Sequence, residues 1–356
     1  MGDSDTPVLI SADCHVEEPP DLWSTRLPTD LRNRGPRVEQ VDGATAIVVE
    51  GRVVRKFRVP AGASTGHVFS SASDPTRRLA DLDADGVWGE VMYPNLGFFC
   101  AYNIEDSALQ RAVCTTYNDW VTETFLRFSP RFCPVALLPS LDIDGCISEL
   151  ERAAELGLRA AMLPVHADAR PYNDAAYEPL WNVAADAGLS LSFHAGTGRS
   201  QTPAHGAGAA VVNYVVTVGG AFETVAYLCG SGVLARHPDL RVVMAESGSG
   251  WLAWTLHAMD DAYREHAAWV TPKLDDLPSE YFRRQGAVTF QHDPVGLAAA
   301  EFTGTRCLMW GSDYPHPEGT WPHSADYLKR QFAGVADDVR CAITRDNAAE
   351  LYRFAV

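Results

Sequence analysis

Four short segments end apolar runs in residue types that hold metals or move protons. They are Asp13-Cys14-His15, Phe193-His194-Ala195, Ala245-Glu246-Ser247 and Gly311-Ser312-Asp313. In an extended chain alternate side chains share a face, so Asp13 and His15 point one way and Cys14 the other. Two imidazoles and three carboxylates aimed at one point suit one divalent metal ion, with zinc placed ahead of manganese or iron. A metal with an open coordination position activates water and polarises a carbonyl or carboxylate oxygen. Asp313 can bind such a metal while moving a proton, and Glu246 is a candidate general acid or base. Glu246 can equally be a further metal ligand or the partner of a barrel-lining arginine. A single histidine at a strand end is more often a hydrogen-bonded core residue. The arrival of the whole set in chain order is what favours chemistry.

Those segments need elements to position them. Short apolar runs at Val8–His15, Gly89–Pro94, Phe132–Pro139, Arg159–Val165, Leu189–Ala195, Arg241–Glu246, Ala287–His292 and Arg306–Asp313 read as eight strands. Amphipathic stretches separate them: Asp74–Asp85, Ile104–Phe128, Ile143–Leu156, Ala175–Ala187, Ala209–Cys229, Trp251–His266 and Pro294–Phe302. The alternation predicts an α/β fold, a distorted (β/α)8 TIM barrel, ahead of a doubly wound open sheet. Barrel chemistry sits where strands end, and that is where the polar segments lie. Residues 24–73 interrupt the pattern as an insertion, with a β-hairpin turning at Glu50-Gly51. Helices at Ser324–Phe332 and Asp337–Phe354 close the chain, so all 356 residues are expected to form one domain.

Composition narrows the function. The chain is 46% hydrophobic and 21% charged, with 29 basic residues against 46 acidic ones for a formal charge of −17. Such acidity disfavours nucleic acid and anionic membrane as partners and leaves a small-molecule substrate. Apolar stretches reach about eight residues, short of the ~20 that span a bilayer. The polar start Met1-Gly2-Asp3-Ser4 lacks the pattern of a secretion signal. Eight cysteines without a CxxC read as reduced thiols, and a cytoplasmic location follows.

At these residues the chain resembles the amidohydrolase superfamily. Within it, the chain is similar to the branch holding aminocarboxymuconate semialdehyde, γ-resorcylate and 5-carboxyvanillate decarboxylases. The likeness is carried by Ile10-Ser11-Ala12-Asp13-Cys14-His15-Val16-Glu17-Glu18-Pro19, Phe193-His194-Ala195-Gly196, His237-Pro238-Asp239-Leu240-Arg241 through Glu246-Ser247-Gly248, and Gly311-Ser312-Asp313-Tyr314-Pro315-His316. The resemblance implies metal ligands at Asp13, His15, His194 and Asp313, a structural role for His237, and a homodimer. Two positions depart from the pattern. Relatives often carry His or Glu where Asp13 stands, and a water-activating His where Glu246 stands.

Around this centre, His292, Arg199, His316 and Trp321 are candidate substrate contacts, with Arg199 a possible carboxylate clamp. Glu18 is placed to orient His15 from behind. The Glu246 departure puts a metal-dependent hydrolase of a small cyclic or aromatic compound first. A non-oxidative decarboxylase of an aromatic or muconate-type acid comes second, and a non-catalytic binding barrel third.

Overall fold

The computed structural model describes residues 8–57, 72–167, 170–198 and 204–356. Strand β1 (Leu9–Val16) is followed by an antiparallel sheet of β2 (Arg37–Val41), β3 (Ala44–Val49) and β4 (Arg52–Phe57). The remaining strands are β5 (Val87–Pro94), β6 (Phe132–Leu137), β7 (Ala160–His166), β8 (Ser190–Gly198), β9 (Arg241–Ala245), β10 (Gly286–Phe290) and β11 (Leu308–Trp310). Strands β1 and β5 to β11 pair in chain order, each parallel to the next. The seam closes just past β11, where Asp313 N donates to Asp13 O at 2.9 Å and His15 N donates to Tyr314 O at 2.7 Å. The result is the expected (β/α)8 barrel, and its closing bonds involve the functional segments themselves.

Helices lie between the strands because crossovers between parallel strands must return over the sheet. The Pro75–Asp85 helix starts as its sequence dictates: Asp74 accepts from the backbone N–H of Thr76 and Arg77, and proline fills the first helical position. This helix carries Arg78 into the core. There Arg78 forms a two-pronged ion pair with Glu90 of β5 and donates to His15 O at 2.7 Å. A charge buried in an apolar strand requires such a partner, and this one also braces the end of β1.

Three elements differ from expectation. The insertion holds three strands rather than a hairpin, because Asp42-Gly43 turns as well as Glu50-Gly51. Both pairs have positive φ, as a two-residue hairpin turn needs. The Ile104–Phe128 stretch is a helix over Ser107–Val121 with a looser turn over Thr122–Leu126. The Ala209–Cys229 stretch breaks into helices Ala209–Val216 and Gly219–Gly230. Together these last two span 22 residues at mean hydropathy 1.4, long and apolar enough by composition to cross a bilayer. That corrects the eight-residue estimate of apolar length. The second helix is nevertheless core, with Ala221, Val225 and Leu228 fully buried.

All eight cysteines are free thiols, seven of them buried. The polar N-terminal residues 1–7 and residues 58–71 of the insertion lie outside the described residues.

Candidate metal centre

Asp13 and His15 lie on β1, fully buried, and face the barrel axis near its rim. One Asp13 oxygen is committed: Oδ2 accepts from Thr289 Oγ1 at 2.7 Å and from Glu246 N at 2.9 Å. Its Oδ1 is left facing His194 Nε2 at 3.9 Å. The shorter reach of aspartate is thus offset by anchoring one oxygen and freeing the other. Gly311 makes this approach feasible, since a Cβ there would stand 2.5 Å from Asp13 Cβ and 3.0 Å from Asp13 N.

Both imidazoles are oriented by backbone. His15 Nδ1 donates to Pro94 O at 3.0 Å and His194 Nδ1 donates to Ala195 O at 2.9 Å. Each Nε2 lone pair therefore points into the centre, the arrangement a metal-binding histidine needs. Burial lowers the pKa of both rings, to about 4 for His194, so they stay neutral and able to donate electron pairs. Phe98 stacks on His194 at 5.1 Å. Glu246 Oε2 lies 3.3 Å from both Nε2 atoms, and its side chain is 28% exposed. Asp313 Oδ1 is 3.5 Å from His15 Nε2 and 3.0 Å from His316 Nδ1.

The carboxylates crowd one another. Burial, then the charge of Glu246, pushes Asp313 up to about 7 and Asp13 well above its usual value. Burial would lower His316, but its contact with Asp313 and the neighbouring carboxylates outweigh this and raise it to about 9. His316 also stacks on His15 at 4.2 Å.

Glu246 and Asp313 share a further property. They sit at φ of 48° and 56°, the left-handed region that costs a side-chain-bearing residue about 1–3 kcal/mol. Both strands turn sharply at the point where their carboxylates enter the centre.

A divalent metal fits this arrangement on structural grounds. Among the described residues, Asp13 Oδ1, His194 Nε2 and Asp313 Oδ2 are buried without a hydrogen-bond partner. Leaving such atoms unpaired costs about 1–3 kcal/mol each. Asp13, His15 and His194 offer ligand atoms within 4.8 Å of one another, as do His15, Glu246, Asp313 and His316.

The other candidates fall elsewhere. Glu18 does not orient His15, because Pro94 O already does. Instead it accepts from the backbone N–H of Asn95, Leu96 and Gly97, fixing the turn after β5. Trp321 packs on Tyr314 at 5.1 Å, beside Cys14 on the outer side of β1. His292 is exposed, while its neighbour Asp293 ties down Ser249, Gly250 and Gly296. Arg199 lies outside the described residues. His237 binds Glu178 at 2.8 Å, just ahead of β9 at the end of the barrel opposite the centre. Sequence reasoning missed Thr289, whose only signal is a polar side chain within the apolar strand β10, and the Arg78–Glu90 brace.

Comparison with known proteins adds four observations. Residues 101–354 match the amidohydrolase family model. The chain is 25% identical over 297 residues to a γ-resorcylate decarboxylase from a Polaromonas species, covering 78% of this chain and 86% of that one. An amidohydrolase from Mycobacterium avium subsp. paratuberculosis superposes with a TM-score of 0.80 at 20% identity, covering 97% of this chain and 99% of that one. A Polaromonas dihydroxybenzoic acid decarboxylase with bound manganese and the inhibitor 2-nitroresorcinol superposes with a TM-score of 0.67 at 18% identity, covering 98% and 97%.

Proposed function

Because the chain belongs to the amidohydrolase family, we propose that it is a metal-dependent, non-oxidative decarboxylase of a hydroxylated aromatic carboxylic acid. This reverses the order expected from sequence, where the hydrolase came first. The observation that carries the reading is Asp313, a buried carboxyl raised to about 7, its Oδ2 without a partner at the centre and its Oδ1 3.0 Å from His316 Nδ1. Such a group can hold a proton at neutral pH and give it to carbon. The decarboxylase relatives support the same choice.

Asp13, His15, His194 and Asp313 would hold one divalent ion, which when bound orients the substrate and offsets the charge of its carboxylate. The donor set of two imidazoles and two carboxylates suits manganese as well as zinc, and the manganese in a structural relative favours manganese over the zinc first expected. Asp313 protonates the ring carbon that bears the carboxylate. The carbon–carbon bond then breaks, its electron pair returns to the ring, and carbon dioxide leaves. Glu246 keeps Asp313 in the acid form, since its charge is the second cause, after burial, of the raised Asp313 pKa. Phe98 gives a flat wall beside His194 for an aromatic ring.

Hydrolysis keeps one observation in its favour. Glu246 Oε2 stands 3.3 Å from both histidine nitrogens, where a carboxylate could accept a proton from water. The two readings part on product. Decarboxylation of a hydroxybenzoate yields carbon dioxide and a phenol and fails in Asp313→Asn, whereas hydrolysis of an amide or lactone panel depends on Glu246.

A further inference from the structure

Thr289 stands on β10 between two apolar neighbours, Val288 and Phe290, and like them is buried. Alternation along the strand turns Val288 and Phe290 one way and Thr289 the other, into the barrel. There Oγ1 donates to Asp13 Oδ2 at 2.7 Å and accepts from Glu246 N at 2.8 Å. Glu246 N also reaches Asp13 Oδ2, at 2.9 Å. The three atoms close a triangle that joins β1, β10 and the residue following β9. Strand β11 lies between β10 and β1, so the Thr289–Asp13 bond crosses the end of a strand instead of following a ladder. Gly311, just past β11, leaves the room, since a Cβ there would stand 2.5 Å from Asp13 Cβ.

The triangle acts on two functional side chains at once. It occupies Asp13 Oδ2, while Oδ1, without a partner among the described residues, faces His194 Nε2 at 3.9 Å. With one oxygen tied, the carboxylate presents only the other to the centre. The triangle also gives the Glu246 N–H two acceptors at a residue whose φ is 48°, a conformation that persists only when its surroundings hold it. A hydroxyl can serve both ends because it carries one donor and free lone pairs. Branching at Cβ restricts its rotamer as well. An apolar side chain of the same shape can do neither.

We propose that Thr289 is a positioning residue: one hydroxyl sets the metal-facing oxygen of Asp13 and the turn that brings Glu246 to the centre. The inference rests on the reading of Asp13 as a metal ligand, and it is independent of which reaction the metal serves.

Isothermal titration of the metal-free full chain with manganese tests it. Thr289→Val keeps the shape and removes the hydroxyl, and is expected to weaken binding by about 10–100-fold, as loss of a partner behind a metal ligand does. Thr289→Ser keeps the hydroxyl and is expected to lose less than about tenfold. Rescue by serine but not by valine separates positioning from packing. Val288→Ala, on the opposite face of the same strand, is expected to lower the melting temperature and leave the affinity unchanged. If circular dichroism shows Thr289→Val to be unfolded, Thr289→Ala is measured instead, with the same loss expected. A loss below about tenfold in the folded variant, or an equal loss with serine, overturns the inference. Asp13→Ala locates the failure. Weak binding there with full binding in Thr289→Val removes the role of Thr289 alone, whereas full binding in both removes Asp13 from the ligand set.

Discussion

His194 Nε2 and Asp13 Oδ1 face each other across 3.9 Å, both buried and neither in a hydrogen bond. Their remaining polar atoms are satisfied by Ala195 O, Thr289 and Glu246 N, so the vacancies are confined to the side facing the centre. Protein interiors tolerate such vacancies when an ion completes them. Elemental analysis after reconstitution with manganese should therefore find about one equivalent per chain. His194→Ala should weaken manganese binding beyond the roughly 10–100-fold that loss of a supporting residue costs. Full metal content in that variant would remove His194 from the ligand set.

Gly311 gives a second route to the same site without touching a ligand. A Cβ at 2.5 Å from Asp13 Cβ must displace β1 or the strand end opposite it. Overpacking of this kind costs about 1–3 kcal/mol. Gly311→Ala should lower manganese affinity at least tenfold by isothermal titration while the far-ultraviolet dichroism is kept. Gly230→Ala, with open space around its Cβ, should leave affinity unchanged.

The metal-free protein should lose thermal stability as pH rises from about 7 to about 9. His316 holds its proton more tightly in the folded state, about 9 against an ordinary 6.5. Its contribution is complete below about 6.5 and lost as pH passes through about 9. Glu18, pushed to about 8 by burial, adds a loss of the same sign up to that pH. Calorimetric melts should show the slope flattening above pH 8 in His316→Asn. An unchanged slope would mean that the His316–Asp313 contact does not stabilise the fold.

Strand ends were legible because two independent regularities coincide there. Period-two alternation puts Asp13 and His15 on one side, and an apolar strand makes the polar residues that end it conspicuous. The role of Glu18 was not legible, since it depends on three backbone N–H groups 77 to 79 positions along the chain, at Asn95 to Gly97. Thr289 and Arg78 are hidden for the same reason: a hydrogen bond between distant strands leaves no local pattern. The Asp42-Gly43 turn did leave one, an Asp-Gly pair between alternating segments, and it marks a third strand in the insertion. The apolar length of Ala209–Gly230 was masked by Asn213, Tyr214 and Thr217, which interrupt a run without making its surface polar. Preference for hydrolysis rested on residue type alone at Glu246. The structure adds its proximity to Asp313, where a negative charge favours a carboxylic acid.

The most direct measurement is product analysis with the manganese-loaded protein and a panel of ortho-hydroxybenzoates, with carbon dioxide and the phenol quantified together. The account predicts equimolar carbon dioxide and phenol from at least one member, reduced by about 10²-fold or more in Asp313→Asn, the scale of a general-acid contribution. Absence of carbon dioxide across the panel, alongside Glu246-dependent hydrolysis of an amide or lactone, would contradict it.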